Sequence, residues 1–143
     1  MSIRGILDRK GVRVVTILST STVKAAADEM RARNISALVV RRDGAVAGAV
    51  TDRDIVHAIA SRGAAALSSP VIDVMTQDMV TVAPTDTAKT AMDLMTRHRV
   101  RHLPVFADED LVGIVSIGDV VRDRLEDLEL ESHLLRDLYI AAR

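Results

Sequence analysis

Two segments of the chain place a hydroxyl residue three positions before an aspartate, after a glycine and two apolar residues. The first is GAVTDRD at 48–54 and the second is GIVSIGD at 113–119. The hydroxyl residue and the aspartate are Thr51 and Asp54 in the first segment, and Ser116 and Asp119 in the second. Each segment predicts a short buried strand that leads through the hydroxyl residue into a helix. The N–H groups at a helix start attract anions and a carboxylate accepts hydrogen bonds from a diol, so each segment is a candidate site for a ribose phosphate.

The same residues also suit a purely structural role. A serine or threonine is a preferred N-cap, and an aspartate in the first turn interacts favourably with the helix dipole. A single copy would therefore say little about ligands. The occurrence of two copies favours the binding interpretation.

The two segments belong to a longer internal repeat with a constant offset of 65 residues. The repeat aligns 14–56 with 79–121 without a gap, and 15 of these 43 positions are identical. A long period with two copies indicates a duplicated supersecondary unit, in which neither copy is expected to close its core alone.

Each copy predicts the order β-α-β-β-α, and the expected fold class is α/β (α+β) with a pseudo-twofold axis between the copies. Strands are predicted at 14–17, 37–40 and 46–51, and again at 102–106 and 111–116. The first helix of each copy carries an apolar face at helical spacing, formed by Val23, Ala26, Ala27 and Met30, and by Ala88, Ala91, Met92 and Met95. Threonines at 20 and 22 are N-cap candidates for the first of these helices. Closing helices are predicted at 52–62 and from 117 into the tail.

Domain boundaries follow from the repeat. We expect one repeat at 1–65, a second at 66–125, and a C-terminal amphipathic helix at 126–143, with 64–70 as the linker between the repeats. The C-terminal helix carries an apolar stripe of Leu128, Leu135, Leu138 and Tyr139. Two alternatives remain open for this stripe: it folds back on its own core, or it packs on a second subunit.

Composition limits the function classes. The chain has no cysteine, which excludes disulfides, thiolate metal sites and cysteine nucleophiles, and its net charge of −1 gives no general attraction to nucleic acid. No apolar run approaches the roughly 18 residues that span a bilayer, and the first residues lack the apolar core of a signal peptide. We therefore expect a cytoplasmic protein that does not insert into membranes.

These features resemble a known family, the tandem cystathionine β-synthase (CBS) repeats that form a Bateman module. The resemblance rests on the two glycine-to-aspartate segments, on the strand Arg101-His102-Leu103-Pro104-Val105 and on Val74-Met75-Thr76 at the start of the second repeat. It is strongest to the stand-alone bacterial members, in which Lys10-Gly11 lies near the N-terminus and an acidic, leucine-bearing helix ends the chain.

The resemblance implies a regulatory module with two clefts for adenine nucleotides, and dimers of such modules. AMP or ATP is the expected ligand, with ADP and NAD(H) as alternatives. Asp54 and Asp119 would hold ribose hydroxyls, and Thr51 and Ser116 would contact ribose or phosphate. Residues expected to line the adenine slots are Thr16, Ile17 and Ala37 in the first repeat, and Thr81, Val82, His102 and Pro104 in the second.

Basic residues distinguish the two copies. Arg53 in the first segment is replaced by Gly118 in the second, whereas the second repeat carries Arg99 and Arg101. We expect Arg53, Arg99, Arg101 and Lys10 to surround the phosphates of a bound nucleotide. The alternative is that the basic run is the solvated end of a helix, where cations are favoured without any ligand.

The sequence therefore predicts a non-catalytic sensor that binds an adenine nucleotide, forms a homodimer and signals to an unidentified regulated protein. The alternative is a protein–protein interaction scaffold without nucleotide binding. An enzyme is not expected, because the chain contains no P-loop, nucleophile elbow or H-E-x-x-H motif and its four histidines are scattered. Accordingly, no catalytic residue, metal ligand or catalytic cofactor is predicted. Nucleic-acid binding through residues 97–102 is disfavoured, since stacking aromatics and a basic net charge are both missing.

Overall fold

The computed structural model describes residues 1–142. In chain order the elements are α1 (Ile3–Lys10), β1 (Thr16–Leu18), α2 (Val23–Arg33), β2 (Ala37–Arg42), β3 (Ala45–Thr51), α3 (Asp52–Arg62), α4 (Ala88–His98), β4 (His102–Ala107), β5 (Asp110–Ser116) and α5 (Ile117–Ala141). Two 3₁₀ turns, Gly63–Ser68 and Val71–Asp73, follow α3. The mixed α/β class with two repeats is confirmed.

The described chain forms two compact units. The first-repeat unit comprises Arg13–Met79, and the second-repeat unit comprises Met1–Val12 together with the residues from Val80 onwards. The N-terminal segment therefore packs with the repeat that lies further along the chain. The repeat boundaries at 65 and 125 describe the duplication of the sequence rather than its packing, and they stay a prediction.

In the first-repeat unit, β2 is the central strand of a three-stranded sheet. It pairs in parallel with β1 and antiparallel with β3. The helix α2 begins where the sequence predicts, because the Thr22 hydroxyl accepts a hydrogen bond from the Ala25 N–H at 3.1 Å. The predicted apolar face of α2 packs on the sheet: Val23, Ala26 and Met30 are buried, and Ala27 is partly buried against the same core. This packing fixes the end of β3, from which α3 starts.

In the second-repeat unit, Pro104 reduces the first strand to a single bridge. The equivalent residue of the first repeat, Val39, donates its N–H to the Val15 carbonyl at 3.1 Å and so extends the pairing with β1. Pro104 has no N–H to donate. Residues 80–82 consequently keep one bridge, in which the Val82 N–H donates to the Pro104 carbonyl at 3.1 Å. The strand β4 thus has a neighbour on both sides, and the nitrogen of Pro104 faces residues 80–82.

The helix α1 was not predicted from the sequence, although its signals are present. Ser2 caps it by accepting a hydrogen bond from the Gly5 N–H at 3.2 Å, and Gly11 ends it at a φ of 97°. Its apolar residues recur at helical spacing and are buried in the second-repeat unit: Ile3, Ile6 and Leu7. The helix is short, and the pattern covers too few turns to stand out from one sequence.

The helix α5 runs without a break from the second signature to the tail. Its 25 residues include 126–141 of the segment that the sequence treats as a separate helix. Ala142 is the C-cap of α5, and Arg143 lies outside the described residues. Val120 and Asp123 are buried, whereas the apolar side chains beyond residue 124 are exposed, including Leu128 at 45% and Leu135 at 61%. The apolar stripe of the C-terminal helix therefore does not fold back on the core of its own unit.

Candidate functional site

Each glycine-to-aspartate segment forms a capping box at the start of a helix. At α3, the Asp54 N–H donates to the Thr51 hydroxyl at 3.2 Å, and the Thr51 N–H donates to Asp54 Oδ2 at 2.9 Å. At α5, the Asp119 N–H donates to the Ser116 hydroxyl at 3.2 Å, and the Ser116 N–H donates to Asp119 Oδ2 at 2.8 Å. Thr51 with Asp54, and Ser116 with Asp119, therefore do cap their helices. Capping uses one carboxylate oxygen of each aspartate and leaves the second oxygen for other donors.

In the first-repeat unit, that second oxygen receives a hydrogen bond from Thr76. The Thr76 hydroxyl lies 3.2 Å from Asp54 Oδ1. An antiparallel bridge with Ala49 holds Thr76 there, with N···O distances of 2.8 and 3.0 Å. Gly48 permits this approach, since an added Cβ would lie 2.4 Å from the Thr76 carbonyl oxygen. The signature glycine thus has a packing reason, and Thr76 is a site residue that sequence reasoning missed.

In the second-repeat unit, the equivalent carboxylate is paired with a cation instead. Lys10, the last residue of α1, places its Nζ 2.7 Å from Asp119 Oδ2 and 2.9 Å from the Ile114 carbonyl oxygen. The helix comes this close because Gly113 has no side chain, and an added Cβ there would lie 2.7 Å from the Leu7 side chain. The structure therefore brings Lys10 together with Asp119, whereas the sequence pattern groups Lys10 with arginines around a phosphate; a role of Lys10 in ligand binding stays a prediction.

The pKa of Asp119 reflects these neighbours. Burial of the carboxyl raises its pKa, but the hydrogen bond from Lys10, the hydrogen bonds from Ser116 and the charge of the lysine together outweigh burial. The pKa of Asp119 consequently lies below its ordinary value of 3.8, and the carboxylate is charged at neutral pH.

A second group of charges lies next to this pair and was missed from the sequence. Arg9 forms ion pairs with both Asp123 and Glu126, one and two turns along α5 from the signature aspartate. Asp123 is 1% exposed, and its Oδ2 has no hydrogen-bond partner among the described residues. The charged residues and Ile6 line a cavity of about 230 Å³ between α1 and the start of α5: Arg9, Lys10, Asp119, Arg122, Asp123 and Glu126.

Two of the residues predicted to line adenine slots pair directly with a signature residue, and the others lie elsewhere in the same units. Ala37 pairs across the sheet with Thr51, and His102 pairs in the same way with Ser116. In the first-repeat unit, Thr16 and Ile17 belong to β1, next to β2, and line an open groove of about 680 Å³ between β1 and α2. In the second-repeat unit, Thr81 and Val82 precede α4, and Val82 pairs with β4 within one residue of Pro104.

The predicted phosphate-binding arginines occupy three different positions. Arg53 is exposed in the first turn of α3. Arg101 lies at the second signature, because its carbonyl accepts a hydrogen bond from the Ile117 N–H at 2.8 Å. Arg99 ends α4 in a left-handed conformation with a φ of 55°, so the helix-end interpretation holds for its backbone. Arg101 and Lys10 thus belong to the same unit as Asp119, whereas Arg53 belongs to the other unit.

Residues 1–142 contain no cluster of three or more histidine, aspartate or glutamate side chains that could hold a metal ion. Across the same residues, no helix combines the length and apolar character needed to cross a membrane.

Comparisons with known proteins show the family to which the two repeats belong. The CBS domain family model matches residues 4–61 and 71–126. The mitochondrial CBS domain-containing protein CBSX3 of Arabidopsis thaliana is 43% identical over 106 residues, which cover 71% of this chain and 52% of that protein. The chain thus spans about half the length of this curated relative.

Two solved structures show the same fold. The CBS-domain protein ATU1752 of Agrobacterium tumefaciens is 42% identical with a TM-score of 0.84, over 86% of this chain and 92% of that one. The CBS domain pair of protein MJ0100, solved with 5-methylthioadenosine and S-adenosyl-L-methionine, is 22% identical with a TM-score of 0.77, over 89% and 98% of the two chains. At that identity the likeness to MJ0100 shows the fold alone. With two matched segments that cover most of its length, the chain belongs to the CBS domain family and carries a tandem pair of CBS repeats.

Proposed function

We propose that the protein is a non-catalytic regulatory module that binds an adenine nucleotide at its CBS signatures. One observation carries this proposal. In each unit a helix N-terminus, the signature aspartate and the first residue of the paired strand lie next to one another: α3, Asp54 and Ala37 in one unit, and α5, Asp119 and His102 in the other. The ligands of MJ0100 support it, because methylthioadenosine and S-adenosylmethionine share an adenosyl group. AMP or ATP is the ligand we propose first, and NAD(H) shares the same group.

The adenosyl group suits the chemistry of these sites. Carboxylate oxygens accept hydrogen bonds from the two ribose hydroxyls, and each oxygen can accept more than one. Capping therefore does not exhaust Asp54 or Asp119. Ala37, the first residue of β2, has a small side chain and pairs with Thr51 across the sheet, so little bulk stands next to the first signature. Lys10 and Arg101 supply positive charge for phosphate next to Asp119, and Arg53 supplies it next to Asp54.

The direct test is isothermal titration of the purified protein with AMP, ATP, NADH and S-adenosylmethionine, after mass spectrometry has shown that no nucleotide remains bound. Saturable binding with a preference for adenine over guanine nucleotides is expected, and the stoichiometry gives the number of sites. No heat from any of these ligands on a folded, empty protein contradicts the proposal.

Matched variants connect the binding to the signatures. Asp54→Ala and Asp119→Ala each remove a signature carboxylate, while Asp86→Ala removes an aspartate that accepts a backbone hydrogen bond from Ala83 at 2.8 Å away from either signature. All three variants lose local hydrogen bonds, but only the signature variants are expected to lose affinity.

Regulation requires that the ligand favour one arrangement of the protein over another, by a coupling of about 1–3 kcal/mol. The regulated protein is unidentified, and a cytoplasmic location is part of the proposal. The scaffold alternative has one observation in its favour, the exposed apolar side chains of α5. It predicts partner binding that is unchanged by adenine nucleotides and by both signature variants.

A further inference from the structure

The exposed part of α5 carries a heptad pattern. Apolar or small residues recur at alternating spacings of four and three along α5 and at its C-cap residue Ala142. We call this set the seam: Val121, Leu125, Leu128, Ser132, Leu135, Tyr139 and Ala142. Its large side chains are exposed in the single chain, with Leu125 at 55% and Leu135 at 61%. Alternating four-three spacing over three heptads is the pattern of a two-stranded coiled coil.

The seam faces away from the unit to which α5 belongs. Val120 and Asp123 are buried and face the unit's own core and α1, and Asp127 lies 3.5 Å from the N-terminal ammonium group. In the heptad that the seam defines, these three residues occupy the outer c and f positions. The seam residues are therefore not part of the hydrophobic core of the unit.

We propose that the occupant of the seam is α5 of a second copy of this chain, in a parallel and in-register coiled coil. The residues that flank the seam argue for this partner. With Leu125 and Leu128 at the a and d positions, the charged g positions are Arg124 and Glu131, and the e positions five residues after them are Glu129 and Arg136. In a parallel pair each g residue meets the e residue five positions later on the other helix. Arg124 then faces Glu129 and Glu131 faces Arg136, so all four contacts of the dimer are attractive.

An antiparallel pair cannot satisfy these charges together. In that orientation, g meets g and e meets e. Pairing Arg124 with Glu131 requires the helices to cross near residue 127, whereas pairing Glu129 with Arg136 requires a crossing near residue 132. Ser132, the single polar a position, lies opposite its own copy in the parallel register and disfavours shifted registers, in which it would face a leucine. This inference does not depend on nucleotide binding.

Two neighbouring leucines give a matched test of the seam. Leu135 lies on it, whereas Leu134 is similarly exposed, 55% against 61%, but occupies an outer position. Sedimentation of the full chain over a dilution series is expected to show that Leu135→Ala weakens dimerisation at least about tenfold while Leu134→Ala does not. A monomeric wild-type protein, an unchanged dimer in Leu135→Ala, or equal losses in both variants overturns the proposal.

Charge exchange tests the identity of the partner. The double variant Arg124→Glu with Arg136→Glu makes the four positions 124, 129, 131 and 136 acidic, and Glu129→Lys with Glu131→Lys makes the same four positions basic. Each variant is expected to dimerise at least about tenfold more weakly than wild type, and an equimolar mixture is expected to recover a heterodimer. Failure of the mixture to pair, or undisturbed dimers of the separate variants, contradicts the proposal.

A cysteine placed near the end of α5 tests the orientation, because the chain has no cysteine of its own. Ala142→Cys lies on the seam at one end, so oxidation is expected to link two chains only if the helices are parallel. Asp137→Cys on the outer face is the control and is expected to stay unlinked. No linkage at 142, or equal linkage at both positions, refutes the parallel arrangement.

Discussion

The contact between Lys10 and Asp119 predicts a measurable loss of stability in Lys10→Met. The lysine ammonium makes one hydrogen bond to a carboxylate and one to a backbone carbonyl, and the two side chains are only 28% and 13% exposed. A hydrogen bond to a charged group contributes about 1.5–3 kcal/mol, and partial exposure of the lysine reduces this value. We therefore expect Lys10→Met to lower the free energy of unfolding by about 1–2 kcal/mol at pH 7.

A matched control separates this effect from that of an ordinary surface pair. Lys24 lies 2.6 Å from Asp28 on α2, and both side chains are about 60% exposed. Lys24→Met is expected to cost less than about 0.5 kcal/mol, because exposed pairs one helical turn apart contribute little. Urea unfolding followed by circular dichroism measures both variants under the same conditions.

The pH dependence of the difference tests the cause. Because the folded-state pKa of Asp119 is lowered, its contribution to stability is present above its unfolded pKa and is lost as the pH falls from 3.8 downward through the folded value. The stability difference between wild type and Lys10→Met should therefore shrink over that acidic range and stay constant between pH 5 and 8. A difference no larger than that of Lys24→Met, or one that does not change on acidification, would refute the reasoning.

Three further outcomes follow from the same contacts. Asp54→Ala and Asp119→Ala should each weaken adenine-nucleotide binding by about 10- to 100-fold in calorimetry, since each removes a charged acceptor of ribose hydrogen bonds. Gly48→Ala should lower the melting temperature, because the added Cβ would lie 2.4 Å from the Thr76 carbonyl oxygen. Gly118→Ala should raise the free energy of unfolding by up to about 1 kcal/mol, because residue 118 is helical and the nearest atom to an added Cβ, the Ser116 hydroxyl oxygen, is 3.6 Å away. Asp123→Ala should destabilise the protein by about 1–2 kcal/mol in urea unfolding, because it removes the charged acceptor of a hydrogen bond from Arg9, which is 45% exposed and keeps its pair with Glu126. A stability equal to that of the wild type would show that the pair is not structural.

The sequence predicted what depends on local pattern. The repeat, the Thr22 cap and apolar face of α2, and the capping geometry at Asp54 follow from residue spacing within one element, and the structure confirms them. The contacts of the two signature carboxylates do not follow from local pattern. Thr76 reaches Asp54 through a bridge between segments, and Lys10 reaches Asp119 from more than 100 residues away in the chain. Neither contact leaves a periodicity that a single sequence could show.

Pro104 shows the same limit at the level of secondary structure. A proline has no N–H to donate, but which neighbouring strand loses the hydrogen bond depends on the order of strands in the sheet. The continuity of α5 could have been predicted, because no glycine or proline interrupts residues 119–142. Whether the helix folds back on the core or stays exposed could not be predicted, because that depends on whether other elements already cover the apolar surface of the unit.

The two repeats differ most where the alignment between them is weakest. At the 65-residue offset, Thr76 corresponds to Gly11 and Met75 to Lys10, so the same signature carboxylate meets a neutral hydroxyl in one unit and an ammonium group in the other. A ligand at Asp54 meets the rotatable hydroxyl of Thr76 at Oδ1 and the capping N–H of Thr51 at Oδ2. A ligand at Asp119 meets the Lys10 ammonium group at Oδ2, the oxygen that also accepts the capping Ser116 N–H, and it either competes with the lysine or binds beside it.

This difference gives a final prediction about ligand choice. If Lys10 binds phosphate, as the sequence suggests, Lys10→Met should weaken ATP binding at the second signature by about tenfold or more while leaving adenosine binding nearly unchanged. If the lysine only blocks the carboxylate, the same variant would instead tighten binding of both ligands. Titration of Lys10→Met in an Asp54→Ala background restricts the measurement to the second signature. Equal tightening for adenosine and ATP would show that Lys10 competes with the ligand rather than contributing to its site.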